Sequence, residues 1–127
     1  ARGRRILLVD DDPLIRESFR ALLELSGHTV EEVDCGEVAL AWLESGGEAD
    51  GVVLDLNMPG LGGEGTLHRL RAGWPELPVL LATGRPDQTA LDLVAAYAKV
   101  ALLPKPFSLR ELRRAMDAWD QGNAENP

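Results

Sequence analysis

Ile6-Leu7-Leu8-Val9-Asp10-Asp11-Asp12-Pro13 decides the fold. Four apolar residues stop abruptly at three carboxylates, and a proline follows at once. An apolar run without alternation suits a strand covered on both faces, as in a parallel sheet. Asp12 is placed as a helix N-cap, and Pro13 as a first helical residue. Ile15, Phe19, Leu22 and Leu23 then recur at i, i+4, i+7 and i+8, the spacing of one helix face. Gly27 is positioned to end that helix.

The same alternation continues along the chain. Thr29 to Val33 is more polar and suits a sheet edge. Asp34 and Glu37 have the spacing of a capping box for a helix through Val38, Leu40 and Trp42 to about Ser45. Gly51 to Asp55 is apolar up to its final carboxylate, and a loop rich in Gly and Pro follows, from Asn57 to Gly63. A short helix carries Leu67 and Leu70. Pro78 to Ala82 reads as a strand before Thr83-Gly84, and Leu91, Val94, Ala95 and Ala98 mark the buried face of the next helix. Val100 to Leu103 reads as a strand ending before Lys105. Ser108 and Glu111 form a second capping box, opening a helix with Leu109, Leu112, Met116 and Trp119. Five strands alternating with five helices predict an α/β domain built on a parallel sheet.

Such sheets bind ligands outside the carboxyl ends of their strands. Asp10, Asp11, Asp55, Thr83 and Lys105 all fall there. Clustered carboxylates repel one another and need a compensating cation. Mg2+ takes oxygen ligands and usually combines one or two carboxylates with a phosphate oxygen. Asp11 and Asp55 are the candidates for direct ligands, with a loop carbonyl near Asn57 as a third and Asp10 acting through water. An aspartate can also act as a nucleophile and form an acyl phosphate. Lys105, the Thr83 hydroxyl and the following backbone N–H would then neutralise phosphoryl oxygens. Gly84 leaves room beside Thr83 for such a group.

Composition narrows the classes. The chain has 127 residues, enough for one domain with a real core. A net charge of −8 argues against direct contact with nucleic acid. The single cysteine, Cys35, excludes an intrachain disulfide framework and fits a reducing compartment. No apolar run reaches membrane-spanning length, so a cytoplasmic domain without direct membrane contact is expected.

The motifs Val9-Asp10-Asp11, Leu54-Asp55-Leu56-Asn57-Met58-Pro59-Gly60, Thr83-Gly84 and Leu103-Pro104-Lys105-Pro106-Phe107 together resemble the response-regulator receiver domain of two-component signalling, from about Arg4 to Trp119. The resemblance implies a flavodoxin-like (βα)5 three-layer sandwich with a five-stranded parallel sheet in the order 2-1-3-4-5. It implies a phosphoacceptor at Asp55, supplied by a histidine kinase or a histidine phosphotransfer domain. A Mg2+ site (with Mn2+ able to stand in) would be formed by Asp10, Asp11, Asp55 and the backbone carbonyl of Asn57. Thr83, Gly84 and Lys105 would bind the phosphoryl group and switch, and the Lys105–Pro106 peptide would be cis. Downstream proteins would dock on the fourth helix, fifth strand and fifth helix, about Asp87 to Trp119. The family often carries an aromatic ring three residues before the lysine; here that position is Leu102, which removes the usual threonine–aromatic coupling.

Residues 5–120 are expected to form the receiver, with residues 1–4 an extension or linker remnant and residues 121–127 a tail. The wording of the motifs also resembles receivers fused to hybrid histidine kinases, so a stand-alone protein and an excised receiver both remain open. Two other functions fit less well. A Mg2+-dependent phosphohydrolase would want a carboxylate where Asn57 stands, and a nucleotide-binding module would want a Gly-rich first turn. A receiver-like docking module that is never phosphorylated is the remaining alternative. Enzyme activity beyond self-phosphorylation and autodephosphorylation is not expected. His28 and His68 read as surface residues, the three tryptophans as packing or surface residues, and Cys35 as a small packed one. Arg110, Arg113 and Arg114 read as a solvated helix face or a docking surface.

Overall fold

The computed structural model describes residues 3–58 and 60–124. Ala1 and Arg2 of the expected extension, Pro59 of the loop motif and residues 125–127 of the expected tail lie outside them. Ten elements alternate: β1 (Arg5–Val9), α1 (Pro13–Leu25), β2 (Thr29–Val33), α2 (Gly36–Glu44), β3 (Gly51–Asp55), α3 (Gly62–Gly73), β4 (Val79–Thr83), α4 (Gln88–Ala96), β5 (Val100–Pro104) and α5 (Leu109–Ala124). The strands form one sheet in the order β2-β1-β3-β4-β5, every pair parallel. This is the expected flavodoxin-like architecture.

Side chains alternate across each strand, so one apolar run feeds two cores. Leu7, Val9, Val52, Leu54, Val79 and Leu81 pack under α2, α3 and α4. Ile6, Leu8, Val53, Leu80, Ala82 and Leu103 pack under α1 and α5 through Phe19, Leu23, Leu112, Met116 and Trp119. The central strands β3 and β4 are buried throughout, whereas β2 alternates between exposed and half-buried residues before Val33, as a sheet edge should.

Local signals account for most helix ends. The Asp12 carboxylate accepts the Leu14 N–H at 2.9 Å and the Ile15 N–H at 3.4 Å, capping α1. Ser108 and Glu111 form a reciprocal capping box, with Ser108 N–H to Glu111 Oε1 at 2.8 Å and Glu111 N–H to Ser108 Oγ at 3.1 Å. The Asp34/Glu37 box does not form. Helix α2 starts from Cys35 without a side-chain cap, and Glu37 instead accepts the Leu61 N–H at 3.3 Å. Helix α5 continues to Ala124, past the tail boundary expected at Gln121.

Helix α4 departs most from expectation. Its buried residues are Ala90 and Leu93, while Leu91 is 49% exposed and Ala95 and Ala98 face solvent. Asp87 caps it, accepting the Ala90 N–H at 3.1 Å, and so fixes a phase that turns Leu91 outward. In a segment rich in Ala and Leu, two adjacent stripes satisfy the same periodicity, so the pattern alone does not choose between them.

Gly63 lets α3 lie against the end of β3. A Cβ there would come within 2.4 Å of Leu56 Cα and 2.5 Å of Asp55 O, both unyielding backbone atoms. Gly63→Ala is therefore expected to destabilise the protein by about 1–3 kcal/mol, the usual cost of overpacking. Gly73→Ala, where a Cβ meets nothing within 4 Å, is expected to be neutral or stabilising by up to about 1 kcal/mol. Denaturant unfolding of both variants checks the contrast, and equal effects would refute it.

Candidate functional site

The site follows from strand register. Val9 pairs with Leu54, Asp55 with Ala82, and Thr83 with Pro104. Neighbouring strands lie about 4.8 Å apart. The next residue along each strand therefore brings Asp10, Asp55, Thr83 and Lys105 to one edge of the sheet. The winding direction reverses beside β1, which lies between β2 and β3, and this opens a crevice at Asp10 and Asp55.

Asp10 is 1% exposed and Asp55 5%, while Asp11 faces solvent. The three offer ligand oxygens all within 4.8 Å of one another. Lys105 Nζ is 3.4 Å from Asp10 Oδ2 and 3.4 Å from Asp55 Oδ1. One ammonium thus pairs with two of the three carboxylates, leaving negative charge uncompensated. Burial and the neighbouring Asp10 push the Asp55 carboxyl above its ordinary pKa, and Lys105 and the Asn57 N–H offset only part of that rise. A hard divalent cation fits this donor set: all oxygens, excess negative charge and one open side.

Asp55 is held on one oxygen. Oδ1 accepts the Asn57 N–H at 3.2 Å and faces Lys105, while Oδ2 has no hydrogen-bond partner among the described residues. Asp10 Oδ1 accepts the Asp12 N–H at 2.9 Å. The buried Thr83 hydroxyl donates to Arg85 O at 3.1 Å and accepts the Arg85 N–H at 2.9 Å. A Cβ at Gly84 would meet nothing within 4 Å, so the space beside Thr83 is open. The Lys105–Pro106 peptide is cis.

Leu102 is half-buried and pairs in register with Leu81. Both lie on the sheet face that carries Thr83 two residues farther along. Val94 and Tyr97 pack against the same core.

Sequence reasoning missed several contacts. The Asn57 side-chain amide donates to Thr83 Oγ1 at 3.2 Å, tying the β3 loop to β4. Arg16 donates to Asp10 O at 2.7 Å. Tyr97, at the end of α4, hydrogen-bonds His68 of α3, and their rings meet edge-on with centroids 5.5 Å apart. His28 is half-buried rather than on the surface: its Nδ1 accepts the Arg4 N–H at 3.0 Å, and burial lowers its pKa. Each contact joins residues on separate elements, and residue types alone do not signal it.

A family model described as the response regulator receiver domain matches residues 6–117. The response regulator MprA of Mycolicibacterium vanbaalenii is 41% identical over 116 residues, covering 90% of this chain and 49% of that protein. The chain spans about half the length of the curated relatives it matches. Among solved structures, the chemotaxis protein CheY4 of Vibrio cholerae superposes with a TM-score of 0.82 at 26% identity, covering 93% of this chain and 98% of that one. The receiver domain of the sensor histidine kinase PA1611 from Pseudomonas aeruginosa, with a magnesium ion coordinated in its active-site cleft, gives a TM-score of 0.82 at 28% identity, covering 92% and 97%.

The raised Asp55 pKa has a definite sign. The folded state holds this proton more tightly than the unfolded chain, so the group favours folding below the ordinary carboxylate pKa. That contribution disappears as pH rises through the raised value. In chelator at neutral pH, Asp55→Asn is expected to raise Tm by about 2–6 °C, with the gain shrinking on acidification toward the carboxylate range. Thermal unfolding across pH checks this, and a lower Tm for the variant at neutral pH would contradict it.

Proposed function

The chain belongs to the response regulator receiver domain family, and from that premise we propose that Asp55 is its phosphoacceptor. Receivers of this family act in two-component signalling, taking a phosphoryl group from a histidine kinase or phosphotransfer domain. The observation that carries the assignment is the Asp55 carboxylate itself, buried at the crevice beside Asp10 and Lys105 with one oxygen unpaired among the described residues. An oxygen of Asp55 attacks the phosphorus of a phosphohistidine. The P–N bond breaks, its electron pair returns to the imidazole, and an acyl phosphate remains on Asp55.

Asp10, Asp11, Asp55 and the Asn57 carbonyl would hold Mg2+, or Mn2+ in its place. Such a cation would offset the carboxylates and supply positive charge to phosphoryl oxygens. Lys105 brings its ammonium to the same oxygens, and the Gly84 N–H and Thr83 hydroxyl approach from β4. The Thr83 hydroxyl has one proton to donate. Turning it to the phosphoryl group requires giving up Arg85 O, which frees the segment leading into α4. The surface of α4, β5 and α5, with exposed Leu91 and half-buried Leu102, is then the output face. The phosphohydrolase alternative is weaker. It needs an acid at Asn57, whose neutral amide is engaged with Thr83.

The domain works in the cytoplasm, and its own chemistry is limited to self-phosphorylation and autodephosphorylation. Among the described residues, no helix is long and apolar enough to cross a membrane. The argument from charge against nucleic-acid contact applies to this domain, not to the remaining half of its relatives.

Incubation with acetyl phosphate and Mg2+ is expected to add one phosphoryl group, seen by intact mass, and Asp55→Asn to abolish it. Thr83→Ala is expected to keep the adduct while losing the amide chemical-shift changes from Arg85 to Leu91. An adduct that survives Asp55→Asn would reject the site, and unchanged shifts in Thr83→Ala would reject the switch.

A further inference from the structure

Asp10 is fixed at every polar atom. Its N–H donates to Val33 O at 3.2 Å, and its two carboxylate oxygens meet the Asp12 N–H at 2.9 Å and Lys105 at 3.4 Å. Its carbonyl lies beyond the end of β1, outside the strand pairing, and accepts from Arg16 Nη1 at 2.7 Å. Arg16 is in turn braced from β2, its Nε donating to Glu32 Oε1 at 3.3 Å. The other oxygen of Glu32 accepts from Arg20 Nη1 at 2.6 Å. Arg16 is largely buried, whereas Arg20 is exposed. A guanidinium shared between a carbonyl and a carboxylate is geometrically specific, because its donors form a rigid fork.

The Asp10 carbonyl and the Asp11 nitrogen belong to one planar peptide. Holding that carbonyl sets the plane from which the exposed Asp11 side chain projects. We infer that Arg16 is a positioning residue for the divalent-cation site, presenting Asp11 toward Asp10 and Asp55 through its grip on the Asp10 carbonyl; this rests on reading those three carboxylates as the cation site. Two effects of opposite sign compete. As a nearby positive charge, Arg16 repels a cation, so removing it would tighten binding. As a brace for a ligand-bearing peptide, it supports binding, so removing it weakens binding; losing a group that orients metal ligands typically costs about 10–100-fold in affinity. The part-buried 2.7 Å bond to a carbonyl outside the strand pairing favours the brace.

Calorimetric titration of Mg2+ into the metal-free protein, without any phosphodonor, tests the inference. Arg16→Met is expected to raise the dissociation constant about tenfold, and Arg16→Lys to recover part of that loss. Arg20→Met removes a neighbouring charge and a Glu32 contact but not the carbonyl bond, and is expected to leave affinity unchanged. Glu32→Gln keeps Arg16 while loosening its brace, and is expected to weaken binding moderately, which serves if Arg16→Met does not fold. Wild-type protein that takes up no Mg2+ would overturn the cation-site reading. Wild-type binding with equal or tighter binding by Arg16→Met, or by Glu32→Gln where Arg16→Met is unfolded, would overturn the role of Arg16 alone.

Discussion

Two carboxylates buried side by side are the constraint around which the rest is arranged. Asp10 and Asp55 sit at the ends of adjacent strands because β1 and β3 pair in register, and neither can turn to bulk solvent. Water would screen their repulsion; burial removes much of that screening. Lys105 reaches one oxygen of each, and backbone N–H groups of Asp12 and Asn57 supply fixed dipoles. These contacts make the cluster tolerable but do not neutralise it, since Asp11 adds a third charge at the rim. The remaining imbalance suits the cluster to a divalent cation. A fold stabilised by two apolar cores of its own can carry such a local deficit.

Most parts legible in the sequence share one property: their cause lies within a few residues. The apolar runs of β1, β3 and β4 announce a parallel sheet because a strand covered on both faces has no polar side to show. Asp12 caps α1, and Ser108 with Glu111 caps α5, because capping is a contact across two or three residues. The grouping of Asp10, Asp55, Thr83 and Lys105 is legible for another reason: strand ends in such a sheet share an edge. The Asp34/Glu37 box failed on a contact the sequence does not carry. Glu37 is drawn to the Leu61 N–H, 24 residues away, in the loop leading into α3. Arg16 was overlooked for the same reason: its partners, the Asp10 carbonyl and Glu32, meet only when α1 folds back along β1 and β2.

The misread face of α4 has a consequence for how the domain can move. The helix sinks only Ala90 and Leu93 into the core, against four buried residues for α2 and four for α3. Its far end is tethered by the hydrogen bond between Tyr97 and His68, on the exposed side of α3. Its near end hangs from the Asp87 cap, two residues after the turn that Thr83 makes with Arg85. Elements with few buried apolar contacts open at lower free energy than those carrying the core. A disturbance at Thr83 therefore meets a lightly anchored helix first, whereas β3 and β4 are buried on both faces.

Leu102 bears on how that disturbance would travel. A ring at this position could report on Thr83 by moving into space the hydroxyl vacates; a leucine of similar burial carries no polar group to exchange. The structure retains another route, one that counts donors rather than volumes. Thr83 has a single O–H, currently committed to Arg85 O, and it accepts from both Arg85 N–H and the Asn57 amide. Any acceptor that takes the proton leaves Arg85 O, at the entrance to α4, without its partner. An unpaired carbonyl costs about 1–3 kcal/mol if it stays buried, comparable to the few kcal/mol that separate two states of a switch. The segment from Arg85 to Asp87 can relieve that cost by rearranging toward water, because Arg85 and Asp87 are already exposed. Coupling of Asp55 to α4 by this route would need no aromatic ring, only the hydroxyl's one proton and the carbonyl it would abandon.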